Sequence, residues 1–279
     1  MDTDRNQRFV DLHADGCLML PNAWDLGSAK ILASAGFPAL ATTSAGIAFS
    51  LGRPDYYFHD GRGEARVDRD TMLGRVRSIV DCVDIPVSAD LEDGYGAAPE
   101  AVAQTIAMAI GAGAAGGNIE DFTGDRAAPL YELELAVERI RAARAAVTEA
   151  DVPFILNGRT DAVSVGAGLD EAVRRANAYL RAGADCAFIP GVSDADGVAT
   201  LVREIEGPVN VVMGLTGNQL TLAELRDLGV RRVTVGGSMA RAMYHHLLAA
   251  ARELAEHGTF GYASDQIPHG TLNETFLGH

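Results

Sequence analysis

The chain reads as a single α/β domain, a (β/α)8 barrel of the TIM type. Three observations predict this. Eight short apolar or β-branched runs are each followed by a longer stretch with apolar residues at helical spacing. Strict alternation of such units implies a parallel sheet, and eight of them imply that it closes. A length of 279 residues, 48% hydrophobic, suits one large core. A doubly wound open sheet is the competing arrangement, but it requires no set of eight equivalent units.

The units run in order along the chain. "CLMLPNAW" (17–24) precedes "DLGSAKILASAG", and "PALATTSAG" (38–46) leads through a loop to "DRDTMLGRVRSIVDCV". "IPVSADLED" (85–93) precedes "APEAVAQTIAMAIGAG", and "GGNIED" (116–121) precedes "LYELELAVERIRAARAAV". "PFILNGRTD" (153–161) precedes "LDEAVRRANAYLRAG", and "CAFIPG" (186–191) precedes "DADGVATLVREIE". "VNVVMG" (209–214) precedes "TLAELRDLG", and "RRVTVGGS" (231–238) precedes "MARAMYHHLLAAARELAEHG". Ala-Gly or Leu-Gly ends several of the helical stretches, as a glycine C-cap does. The domain is taken as 1–279, with a C-terminal extension from about 240 to 279. The broad apolar face of the last helix, with Phe260, Tyr262 and Phe276 beyond it, predicts a symmetric oligomer.

Composition excludes several classes. Lys and Arg total 23 against 38 Asp and Glu, a formal charge of −15, which argues against nucleic acid or an anionic membrane as partner. No apolar run approaches the roughly 18 residues of a membrane span. The start, "MDTDRNQRFVDLH", is polar and mixed in charge, unlike a signal peptide. Cys17, Cys82 and Cys186 form no CxxC pair, so free thiols and a cytoplasmic location are expected.

In such barrels the chemistry sits where strands end. Those ends carry Asp25, then Thr42, Thr43 and Ser44, then Asp90, Glu92 and Asp93, then Glu120 and Asp121, then Arg159 and Asp161. The opposite ends carry residues such as Pro38, Pro86 and Pro153. Carboxylates this close repel unless a hard cation lies between them, and an oxygen-only set suits Mg2+ or Mn2+. The plainer alternative is helix capping, which fits Asp25 well, Asp93 and Asp121 moderately, and Asp90 least. Arg159 is the one cation among these acids. It can clamp a substrate carboxylate with two donors, or form an internal ion pair with Asp161 or Glu120. "LATTSAGIAFSLGRPD" offers backbone N–H groups to an anion, or simply packs tightly. Cys17 and Cys186 open the first and sixth strands and Cys82 lies in a helix, so none is placed to reach the mouth.

"LPNAWDLGSAKILASAGFPAL", "TTSAGIAFSLGRPD", "ADLEDGYG", "NIEDF", "GRTDA" and "RANAYLRAGAD", in this order and spacing, resemble the isocitrate lyase/phosphoenolpyruvate mutase superfamily over nearly the whole chain. The resemblance implies a modified (β/α)8 barrel with a swapped C-terminal helix, in a dimer or a dimer of dimers. It implies Mg2+ and enolate chemistry on 2-oxo acids. It makes Asp90 the direct metal ligand, with Glu92 in place of a second Asp and with Asp55 and Glu120 holding metal waters. Arg159 becomes the carboxylate clamp, and Thr43, Ser44, Ala45, Gly214, Leu215 and Thr216 join the substrate contacts. Arg159, Tyr95 and Glu120 are the candidate catalytic residues, with Tyr95, His59 or a metal-bound water as proton donor. The segment "EDFTGDRAAPLYELE" departs from the superfamily: it lacks the lyase Cys and the Lys and Asn of mutases. "FIPG" likewise lacks the Glu or His expected after the sixth strand. The expected activity is therefore C–C bond lysis or decarboxylation. The alternatives are P–C bond chemistry or a barrel that only binds a metabolite.

Overall fold

A computed structural model describes residues 2–55, 66–216 and 220–278, together with the backbone at 57–59 and 62–64. All eight expected strands are present. The first is split by Pro21, which has no N–H to donate, into β1 (Leu18–Leu20) and β2 (Asn22–Ala23). β3 is Leu40–Thr42. A two-stranded antiparallel hairpin, β4 (Tyr57–His59) and β5 (Arg62–Glu64), lies in what reads from sequence as a loop. The barrel continues with β6 (Val87–Asp90), β7 (Gly116–Glu120), β8 (Ile155–Arg159), β9 (Cys186–Phe188), β10 (Val209–Val212) and β11 (Arg232–Thr234). All barrel pairings are parallel. β1 pairs with β11 and β2 with β3, so the sheet's two edges are halves of one chain segment. That closure decides against the open sheet.

The outer ring is α2 (Leu26–Ser34), α4 (Arg69–Asp81), α5 (Pro99–Gly111), α6 (Leu133–Ala150), α7 (Leu169–Arg181), α8 (Ala195–Glu204) and α9 (Leu222–Asp227). A short helix, α3 (Ser44–Ser50), follows β3 with Thr43 as its N-cap. Asp25 caps α2 in a reciprocal pair with Ser28, the capping role open to it from sequence.

The N-terminal helix also has no counterpart in the sequence reading. Helix α1 (Thr3–Leu12) crosses the bottom of the barrel. Only Asn6 and Phe9 on it are buried, too few for a visible apolar stripe. Phe9 closes the barrel floor among Leu18, Leu20, Ala39, Ala41, Ala115 and Ile155. Its ring lies where a Cβ on Gly116 would come within 2.8 Å, so Gly116 is the residue that admits it. Arg5 ties α1 to the carbonyls of Val80 and Val83, and Asn6 to that of Pro153.

Helix α10 (Ser238–His257) leaves the barrel, with only Ala240 of its residues buried. Leu247 is 60% exposed and Leu248 51%, and Met239, Met243 and Leu254 are also open to solvent. After a 3-10 turn at Gly261–Asp265, α11 (His269–Leu277) packs on α2 of the same chain, where Lys30 Nζ donates to the Phe276 carbonyl at 2.9 Å. No helix among the described residues is long and apolar enough to cross a membrane.

Candidate active site

The mouth of the barrel opens into a cavity of about 490 Å³. Thr43, Ser44, Ala45, Asp55, Asp90, Glu120, Arg159 and Leu215 line it, so most of the residues chosen from sequence meet there. Asp90 ends β6 on its inward face. Its own N–H donates to Thr42 Oγ1 at 2.9 Å. Its carboxylate accepts from the Ser44 N–H at 2.9 Å and from Asn118 Nδ2 at 3.0 Å. These donors fix its orientation and leave carboxylate lone pairs toward the cavity.

The chain then turns sharply. Glu92 (φ 50°), Gly94 (φ 78°) and Tyr95 (φ 63°) lie in the left-handed region, costly for the two non-glycine residues. Buried Arg139 from α6 holds the turn by donating to the carbonyls of Asp93, Gly96 and Ala97, with its guanidinium 4.0 Å from the Tyr131 ring centre. The turn buries Glu92 beneath the site. Glu92 Oε1 accepts from Tyr95 OH at 3.0 Å, while Oε2 is buried without a hydrogen-bond partner, 3.6 Å from Arg66 Nη1. Burial pushes the Glu92 carboxyl up to about 7 against the pull of Arg66. Burial, reinforced by Asp90, pushes Asp55 up to about 6.

Arg159, at the end of β8, is engaged by both neighbouring acids. Nε and Nη2 donate to Asp161 at 2.8 and 2.9 Å, and Nη1 lies 2.7 Å from Glu120 Oε2. Of the two options left open by the sequence, the internal ion pair is formed, and with both acids. Three of its five N–H groups serve internal pairs, and two remain for a ligand. Burial works against its charge, but Asp161 and Glu120 outweigh this and hold the guanidinium well above its ordinary range. Burial raises the Glu120 carboxyl, with Arg159 opposing.

Other rim residues serve the scaffold. Asp121 faces α7, accepting from Tyr179 OH at 2.6 Å and Arg175 Nη1 at 3.1 Å. Asp93 accepts from Arg66, from Tyr131 OH and from the Tyr95 N–H. Neither caps a helix, so that expectation is corrected for both: each is a buried anchor. Neither Glu92 nor Tyr95 lines the cavity; Tyr95 lies behind Glu92, so it can act on the site only through that carboxylate. Of Gly214, Leu215 and Thr216, Leu215 lines it. The side chain of His59 lies outside the described residues. None of the three thiols lines the cavity.

Sequence reasoning missed Asn118, which orients Asp90, and Arg241, on the first turn of α10 at the mouth. It also missed the apolar wall of Phe49, Phe122, Phe188 and Pro190. The quoted "VGGS" was the available signal for Arg241, since Gly236 and Gly237 carry the chain past the cavity into α10.

The family model described as phosphoenolpyruvate phosphomutase matches residues 9–255. The chain belongs to this family. A solved structure of a candidate lyase/mutase from Burkholderia cenocepacia J2315 is 45% identical, covers 99% of this chain and 97% of its own, and superposes with a TM-score of 0.93. The 2-methylisocitrate lyase of Escherichia coli (strain K12) is 32% identical over 251 residues, 87% of this chain and 80% of that protein. Oxaloacetate acetylhydrolase in complex with oxalate is 26% identical over 98% of this chain and 94% of its own, with a TM-score of 0.86. The segment after Glu120 carries no cysteine. It is closed by a Phe122–Leu130 bridge and turns Phe122 toward the cavity.

Proposed function

We propose that this enzyme is a divalent-cation-dependent lyase that breaks a C–C bond beside the 2-oxo or 2-hydroxy group of a small dicarboxylic acid. One observation carries the reading: Asp90, Asp55, Glu120 and Arg159 line a single cavity. The residues fit a hard cation. Every donor is oxygen, Glu92 Oε2 is buried without a hydrogen-bond partner, and nearby carboxylates add to the effect of burial in raising Asp55 and Glu92. Among the described residues no three His, Cys, Asp or Glu side chains converge closely enough to bind an ion directly. That fits Mg2+, or Mn2+, on Asp90 with Asp55, Glu92 and Glu120 reaching it through water, since Mg2+ keeps most of its hydration. When bound, the ion would supply positive charge for an oxygen that becomes negative as an enolate forms.

The chain's own residues have distinct tasks in this reading. The two remaining Arg159 N–H groups take one substrate carboxylate, with Thr43, Ser44 and Ala45 lining the opposite side. Glu120 and Asp161 hold the guanidinium in place. Arg241 at the mouth suits a second carboxylate. Phe122, Phe188 and Pro190 exclude water from the reacting carbons. A homo-oligomer built on α10, a dimer or a dimer of dimers in the cytoplasm, belongs to the same proposal.

The experiment is a screen of 2-oxo and 2-hydroxy di- and tricarboxylates, with and without Mg2+, read by product mass. Mg2+-dependent cleavage of an oxaloacetate-like or 2-methylisocitrate-like acid supports the proposal. The description of the matching family favours one second reading, P–C bond chemistry, and release of phosphate from phosphonopyruvate would establish it instead. Metal binding without turnover of any acid would leave a binding barrel.

A further inference from the structure

The cavity does not end at the catalytic level. It continues down the barrel past Asn157 and Asn210 to Arg232, the first residue of β11. Arg232 is 2% exposed, and its Nη2 donates to Ser88 Oγ at 3.1 Å. Ser88 lies two residues before Asp90 on the same face of β6, so this guanidinium sits about 7 Å nearer the barrel floor. Its Nε and Nη1 are buried without a hydrogen-bond partner. Below it lies the Phe9 ring, centred 6.0 Å from the guanidinium carbon. Among the described residues no carboxylate pairs with it.

A buried, unpaired guanidinium is among the most costly groups a fold can hold. Losing the proton is no remedy. Burial lowers its pKa only to about 10, so it stays charged at neutral pH. Water can accept from Nε and Nη1 but cannot neutralise the charge. Asn157 Oδ1 is also without a partner, which requires a hydrogen donor such as water in the same chamber. From this geometry we infer a second binding site on the barrel floor, in which a small monovalent anion of halide size accepts from Arg232 Nε and Nη1. The site is independent of the metal and of the substrate reading above. Its anion offsets a buried charge whose Nε and Nη1 no described residue engages.

Two measurements on the full-length protein test it. Native crystals are soaked in bromide and measured at the bromine edge. An anomalous peak beside Arg232 Nε and Nη1 is expected, and water density without that peak overturns the proposal. In parallel, thermal melts at fixed ionic strength replace an excluded anion with chloride for the native chain and for Arg232→Met. The native Tm should rise with chloride by at least about 3 °C more than that of the variant, as for a ligand that binds only the folded state. Equal slopes overturn the proposal. A bromide peak without that difference marks an adventitious ion only and overturns it too. Should Arg232→Met not fold, bromide occupancy across a concentration series in native crystals decides: saturation at low millimolar bromide supports the site, and empty density at that level overturns it.

Discussion

Glu92 and Asp55 give the site a pH signature. Their carboxyls are raised in the folded protein, to about 7 and about 6, burial being the main cause in each. A raised acid binds more protons folded than unfolded, so without metal its stabilisation is present at low pH and is lost as pH rises through the folded value. For Glu92 the loss between pH 4.5 and 7 is on the order of 3 kcal/mol. Glu92→Gln should flatten that limb in metal-free melts followed from pH 4.5 to 8. The ion reverses the sense. Protons compete with Mg2+, so its affinity should fall by up to about tenfold for each pH unit below 7. Titrations of Mg2+ at several pH values check this, and pH-independent affinity would separate Glu92 from the ion. Arg159→Lys keeps the charge and loses the planar fork. It should cut kcat/KM by roughly a hundredfold, read by steady-state kinetics on the substrate found. At this scale the sequence made Asp90 and Arg159 legible, because a charged residue ending an apolar strand has few places to go. It hid Asn118 and Arg241, because what matters there is a partner brought close only when the barrel closes.

The strands themselves were legible because a strand buried on both faces reads as a short apolar run, and eight such runs admit few topologies. Register follows from the same pattern, and it puts all three thiols away from the cavity: Cys17 just before β1, Cys82 at the C-cap of α4 and Cys186 opening β9. Burial pushes Cys186 up to about 12, so it is inert as well as remote. The triple Cys→Ser variant should therefore keep most of its turnover, with some lost stability from Cys186. A fall of several orders of magnitude in kcat with unchanged folding would overturn the register. Helix α1 was illegible because two buried residues in ten leave no stripe, yet it carries the plug. Phe9→Ala should cost about 3–5 kcal/mol in denaturant melts, the range for emptying a buried aromatic site.

The whole molecule leaves one large surface unexplained by a single chain. Helix α10 exposes Met239, Met243, Leu247, Leu248 and Leu254, and the tail adds Phe260, Tyr262, Ile267 and Leu277, the last 72% exposed. Patches of this kind are seldom left open to water on an isolated protein. Light scattering at micromolar concentration should give a symmetric oligomer, and Leu247→Asp with Leu248→Asp should shift it toward monomer. A native monomer would contradict this. The closed barrel was readable from alternation alone. The partner of α10 was not, because an apolar helix face states only that something covers it.

The account rests on one carboxylate holding one hard cation at the centre of the mouth. Calorimetric titration of Mg2+ into the native protein and into Asp90→Ala, with folding verified by circular dichroism, tests it most directly. The predicted result is a single site in the native protein and affinity weaker by at least about tenfold in the variant, beyond the effect of Glu92→Ala, which acts through water. Equal Mg2+ affinity in native protein and Asp90→Ala would contradict it.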